Sequence, residues 1–427
     1  MRNRISLLLG LFLLTALVFG GGGFAVSGEK KSAAPGDRVV LKFWKAGTAT
    51  IWRDYWQKTI AEYEAANPHV KIEYVEAPQG QEFETKLNVG FLSGTGPDIV
   101  SHAIFSIAQR ADKGQYFPLD QYLAKWKDKS DIMDNVYELG SYKGKVYGLA
   151  FYPIPSVIAY RKDYFKEAGL DPTKPPTTWE QLDDHAVKLT KRDGNFTIRA
   201  GLNIPIDETK WTIPFSIQNG AENITADGQP NFDNPQMVET LAYFTRLVLQ
   251  KKVAIETTKE KERNQNLFSR GNAAISLVAP SDIAEMIKID STLKDKIGFM
   301  DIARKKRSIF SGADLLFVSG ESKNKEEAWN FIQFALSTET MTKRYQVTNC
   351  PVVRKSLRSK YLEDQPIINA AIYDGIGIGV GAPKVPWSNL YLNKYLPQAM
   401  QEAFYGKKTP EQALKDNVQL LKKELQP

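Results

Sequence analysis

Between residues 39 and 100 the chain alternates between two hydrophobic periods, and that alternation limits the folds open to it. Residues 39–44 (Val-Val-Leu-Lys-Phe-Trp) read as a strand. Trp52, Tyr55, Trp56, Ile60 and Tyr63 then recur at helical spacing, and Asn67-Pro68 stops that helix after Ala66. Residues 70–75 alternate as a second strand, 83–92 form a second helix, and Ile99-Val100 resumes the sheet after Pro97-Asp98. Strands that alternate with helices in this way predict a largely parallel sheet with helices on both faces.

The pattern breaks at Ala150-Phe151-Tyr152-Pro153-Ile154-Pro155, whose prolines restrict the backbone and remove sheet donors. A second series follows, with a strand at 157–160 and helices at 162–167, 179–190 and 237–250. Pro175-Pro176-Thr177-Thr178 supplies the entry and cap of the 179–190 helix. Residues 273–278 are a short apolar strand closed by Ala279-Pro280, 315–318 another strand, and 326–337 an apolar-striped helix. At 427 residues the chain exceeds what one hydrophobic core usually supports, so the break reads as a passage between two lobes.

The N-terminus reads as an export signal: Arg2 and Arg4 precede an apolar run from Ile5 to Phe19, and Ala25-Val26-Ser27 offers small residues before Gly28. An uncleaved anchor is the competing reading of 1–27, since the run extended to Val26 is about long enough to span a bilayer. Residues 28–37 read as a polar tether. The formal charge is +7, of which residues 1–36 carry a net +3, leaving a mild basic excess of +4. No basic cluster is interleaved with aromatics, which argues against nucleic-acid binding. The sole cysteine, Cys350, has no intramolecular disulfide partner and reads as a small buried hydrophobe.

Several motifs occur in a fixed order: Leu41-Lys42-Phe43-Trp44, Ser93-Gly94-Thr95-Gly96-Pro97-Asp98, Tyr142-Lys143-Gly144-Lys145-Val146-Tyr147-Gly148, Tyr160-Arg161-Lys162-Asp163-Tyr164-Phe165 and Pro175-Pro176-Thr177-Thr178-Trp179-Glu180. The ordered set resembles the carbohydrate-binding proteins of bacterial ABC importers, the group that includes maltose-binding protein. The resemblance implies an α/β, two-lobed periplasmic-binding-protein-like fold. Each lobe would be a mixed, mostly parallel sheet flanked by helices, and a multi-segment hinge would join them. Crossings are expected near 150–155, 273–280 and 320–326, giving lobe I as 38–152 plus 279–322 and lobe II as 153–278 plus 323–427. The implied function is capture of a carbohydrate, expected to be an oligosaccharide, and its delivery by hinge closure to the transmembrane permease subunits of an ABC transporter. A monomer without cofactor is expected, exported to the periplasm or the outer face of the cytoplasmic membrane. No lipobox cysteine follows the apolar run. An exported glycoside-active enzyme, or a sensory or cell-wall sugar-binding protein, are the alternatives.

No catalytic constellation is evident. His69, His102 and His185 lie far apart without metal-ligand spacing, and no nucleotide loop or nucleophile elbow occurs. A sugar site wants aromatic rings beside hydrogen-bonding side chains. By resemblance, the loops after the first strands contribute Trp44, Lys45, Thr48, Gln79, His102, Phe105 and Ser106, with Trp44 open between cleft floor and core. Later stretches contribute Lys210, Trp211, Ser281, Gly312, Asp314, Lys384, Trp387 and Tyr391. Trp211 and Trp387 are read as stacking rings in loops, whereas Trp52, Trp56, Trp179 and Trp329 read as packing on helix stripes. Asp314 reads equally as a ligand acceptor or a loop cap. Lys45, Lys210 and Lys384 together suggest an acidic sugar, against the alternative of solvated rim lysines. Three departures from the group's pattern, Tyr160-Arg161-Lys162, Ala279-Pro280-Ser281 and Ser311-Gly312-Ala313-Asp314, put the usual sugar identity in doubt.

Overall fold

The computed structural model describes residues 38–426, so the readings of 1–27 and 28–37 lie outside the described residues. Val39–Ala46 is central to the first sheet and pairs in parallel with Val70–Ala77 on one side and Ile99–Ala103 on the other. Ile309–Val318 then runs antiparallel to Ile99–Ala103 and, on its far side, to Gly148–Pro155. Its first two residues also pair in parallel with Gly379–Val380. A second sheet places Val157–Arg161 between Ile275–Val278 and Ile297–Met300, antiparallel to both. The parallel expectation therefore describes the first three strands, while the second lobe's named strands pair antiparallel.

Period-two alternation seats the first strand. Leu41 and Phe43 are buried, and Phe43 lies 4.9 Å from Trp56 on the helix Thr50–Ala66 and 5.8 Å from Phe331 on the helix Lys325–Ala335. Trp44 points to the opposite face, against the helix Gln81–Ser93, where a Cβ on Gly90 would come within 2.8 Å of its ring. Gly94 ends that helix in the left-handed conformation, at φ 67°, which its lack of a Cβ permits. Asp98 then accepts from the Lys42 N–H at 2.8 Å and the Ser322 hydroxyl at 2.5 Å, so this carboxylate fixes strand entry.

The second lobe is built on helices Trp179–Leu189, Thr209–Gln218 and Pro235–Leu249, whose Trp179, Trp211, Phe215, Tyr243 and Phe244 form one aromatic core. The Thr178 side chain caps the first of these, accepting from the Gln181 N–H. The last helices, Leu396–Phe404 and Pro410–Glu424, pack on Pro235–Leu249.

The strand Gly148–Pro155 of the first sheet is followed by Val157–Arg161 of the second, with Ser156 alone between them. Its prolines are tolerated because Gly148–Pro155 is an edge strand. The other two crossings fall elsewhere than expected. Residues 279–300 stay with the second sheet, through the helix Pro280–Ile289 and the strand Ile297–Met300, and the chain returns only at Ile309. Residues 325–348 cover the first sheet, with Trp329 5.5 Å from Trp126, and the final passage follows Gly379–Val380. An apolar helical stripe states that a face is covered; it does not state which sheet it covers.

Candidate functional site

Three parallel strands end at one edge of the first sheet, so the loops after Ala46, Ala77 and Ala103 emerge together. Antiparallel pairing brings the start of Ile309–Val318 and the end of Gly148–Pro155 to the same edge. In the second lobe, Val157 begins its strand at this edge, and antiparallel pairing with Val278 places Ala279-Pro280-Ser281 there too. The carboxyl ends of the first sheet's three parallel strands and the Val157/Val278 edge of the second sheet therefore meet at the passage through Ser156, and the carboxyl ends of parallel strands are where open α/β sheets bind ligands.

Lys45 is buried at this edge. Its ammonium donates to the carbonyls of Ala46 at 2.7 Å and Gly47 at 3.2 Å, and stands 6.0 Å from the ring centre of Trp52. Burial lowers its pKa, while the carboxylates of Asp314 and Glu76 oppose that shift. Asp314 pairs across its strand with Ala103 and Tyr152, next to a register shift in the ladder. It remains half-buried, and among the described residues no group donates a hydrogen bond to its carboxylate. Burial raises its pKa, against the charges of Lys45 and His102.

Trp52, in the first turn of Thr50–Ala66, is half-buried and lies 5.2 Å from Tyr152, with the rings tilted by 41°. The Tyr152 phenol, raised in pKa first by burial, lies beside Cys350 and Ser281, so a first-lobe strand meets the start of a second-lobe helix. There the Asp282 carboxylate accepts from the Ala279 N–H at 2.9 Å, and Lys210 approaches from the neighbouring helix while paired with Glu208 at 3.3 Å. Lys45, Asp314, Ser281 and Lys210 are thus brought to one place, together with Gly312, which sits opposite Ile154 in the same strand pair. Thr48 and Gln79 are exposed on the loops at this edge.

His102 lies below this surface. Its Nε2 is 3.2 Å from Glu84, its ring stacks on Phe83 at 4.9 Å, and Phe105 meets it edge-on at 5.4 Å. Burial alone would raise the Glu84 pKa, but His102 and Arg110 hold it down at about 2. Ser106 is buried and donates to the Ala103 carbonyl at 2.9 Å. Trp44, packed beneath Lys86 at 4.8 Å, faces a helix of its own lobe.

Two stacking assignments are corrected. Trp211 is 1% exposed on a helix and donates through Nε1 to the Asn203 carbonyl at 2.9 Å, within the aromatic core. Trp387 is 7% exposed and donates to the Gly228 carbonyl at 3.1 Å, and its neighbour Tyr391 is fully buried against Phe232. Both tryptophans satisfy their only donor inside the protein and bury their faces. Lys384 is drawn to Glu138, 2.7 Å away. The three lysines read as a cationic cluster therefore each have partners: two have carboxylates, and Lys45 has backbone carbonyls beside Asp314. Trp52, read as packing on a helix stripe, does pack against Tyr55, Phe151 and Tyr152, and its half-buried ring lies with Tyr152 at this edge as well, which apolar spacing does not reveal. The signal available was position, immediately after the first strand's loop and at the proline break.

The sequence matches the family described as bacterial extracellular solute-binding protein over residues 48–342. A putative binding protein of Brucella abortus is 25% identical over 371 residues, covering 85% of this chain and 87% of that protein. The sn-glycerol-3-phosphate-binding periplasmic protein of Escherichia coli is 24% identical over 407 residues, covering 88% and 90%. Among solved structures, the sugar-binding protein MalE of Xanthomonas citri superposes with a TM-score of 0.80 at 17% identity, covering 90% of this chain and 97% of that one. The Listeria monocytogenes substrate-binding protein in complex with cycloalternan gives 0.72 at 24% identity, covering 91% and 99%.

Proposed function

The chain belongs to the bacterial extracellular solute-binding proteins, and from that premise we propose that it captures an oligosaccharide between its lobes and presents it to the permease of an ABC importer. It is a binding protein rather than an enzyme, working outside the cytoplasm. One observation supports the sugar reading above others. At the edge where both sheets end, a half-buried ring, Trp52, meets Tyr152, whose cross-strand partner Asp314 is a carboxylate with no internal donor, and the exposed Ser281 approaches Tyr152 from the other lobe. A ring face suits the C–H face of a sugar, and a free carboxylate accepts its hydroxyls. Thr48, Gln79 and Lys210 form the rim in this reading.

Ligand shared between the lobes favours the closed state, because only closure completes its contacts. The lysines at the site are engaged by internal partners, which favours a neutral sugar over an acidic one. The structural relatives include proteins solved with cycloalternan and with mannobiose, which supports a carbohydrate without fixing its linkage. The test is a thermal-shift screen against neutral and acidic mono- and oligosaccharides, with glycerol 3-phosphate included. Stabilisation by neutral oligosaccharides supports the reading. A response confined to glycerol 3-phosphate or uronates overturns the neutral assignment, and none from any sugar overturns the carbohydrate.

A further inference from the structure

Arg344, on the helix Thr338–Thr348, is 1% exposed. Its Nη2 donates to the Pro351 carbonyl at 2.5 Å, whereas Nε and Nη1, both buried, meet no acceptor among the described residues. No carboxylate pairs with it there. The acidic side chains around this cluster face other groups: Asp364 accepts from the Tyr345 hydroxyl, Glu62 pairs with Lys343 at 3.1 Å, and Asp314 faces Lys45. The groups that face the guanidinium are Cys350, Tyr55, Tyr152 and Tyr361. Burial pushes the Cys350 thiol up to about 11 and raises the three phenols, so at neutral pH all four are uncharged. The Tyr361 hydroxyl is itself buried without a partner.

A guanidinium always carries its proton, and an uncompensated buried charge is strongly destabilising. Neutral neighbours and water satisfy donors but leave the charge. We propose that Arg344 holds a small inorganic anion of halide size inside the first lobe, with the Tyr361 hydroxyl as a further donor. A cavity of about 490 Å³ lined by Tyr345, Asn349, Tyr361 and the charged Lys360, Glu363 and Asp364 adjoins the cluster, and Tyr361 is the wall common to both. The donor atoms themselves are sealed from solvent, so the bound species is a small ion that passes this wall rather than the acid group of a sugar. Tyr152 borders both this cluster and the ligand edge, which couples the anion to the cleft floor.

The experiment is anomalous diffraction from crystals of the protein grown in sodium bromide, together with melting curves of the parent and Arg344→Met in sodium chloride and sodium gluconate at matched ionic strength. A bromide peak within hydrogen-bond distance of Arg344 Nε or Nη1, and a melting temperature several degrees higher in chloride for the parent alone, are expected. Bromide sites only elsewhere, or an equal chloride effect in Arg344→Met, overturn the proposal. If that variant does not fold, the bromide map of the parent decides alone.

Discussion

Trp52 and Tyr152 meet with ring centres 5.2 Å apart, joining the first turn of a helix to the edge strand that leaves for the second lobe. Trp52 is half-buried, and its ring is also edge-on to Phe151 at 5.7 Å. Trp52→Ala is expected to weaken sugar binding about thirtyfold, the equivalent of ~2 kcal/mol at a binding hot spot. Calorimetric titration with a sugar found in the thermal-shift screen measures this. An unchanged affinity would remove the ring from the site.

Trp211→Ala is expected to behave in the opposite way. Its indole fills the second-lobe core beside Phe215 and Phe244, so truncation should cost about 3–5 kcal/mol of folding stability. Urea unfolding of the variant checks this, and a stable Trp211→Ala that fails to bind would restore the ring to the cleft.

Asp314 carries a charge that the fold disfavours. Its pKa is raised, so the folded state takes up a proton at higher pH than the unfolded chain does, and the ionised form destabilises the fold above that range. Asp314→Asn should therefore be more stable than the parent at neutral pH. That advantage should fade as the pH falls below the ordinary carboxylate range, where both states are protonated. The same variant should bind sugar more weakly. Melting curves across pH, with titrations at neutral pH, read both effects. A less stable variant with intact binding would make Asp314 a structural cap.

Glu84 works in the other direction. His102 and Arg110 hold its pKa near 2 against burial, so its ionised form stabilises the fold above its ordinary value, and that contribution is lost as the pH falls toward 2. Glu84→Gln should cost about 3 kcal/mol at neutral pH and progressively less in acid. Equal destabilisation at pH 7 and at pH 3 would contradict this assignment.

Closure is measurable by small-angle scattering. With the two sheets meeting at the passage through Ser156 and the returns at 300–309 and after Val380, a saturating ligand should reduce the radius of gyration. An unchanged radius, after removal of any co-purified sugar, would exclude a hinge mechanism.

Local pattern alone determined much of this protein. Residues 39–103 show their strand and helix periods because each element buries one face, and Asn67-Pro68 and Gly94 stop helices by their own backbone chemistry. The break at 150–155 was legible because two prolines in an extended run suit only an edge. Burial of Cys350 was legible too, from its apolar flank. What the tertiary structure decided was allegiance and facing. Trp329 and Phe331 form a stripe that fits either lobe, and only contact with Trp126 and Phe43 assigns it to the first. Trp211 and Trp52 are both tryptophans in apolar helical surroundings, yet one closes a core and the other is left half-buried beside Tyr152 at the sheet edge. A sequence records how often a side chain returns to one face of its element. Whether that face meets protein or ligand depends on which distant strands arrive opposite it, and that is fixed only when both sheets are assembled.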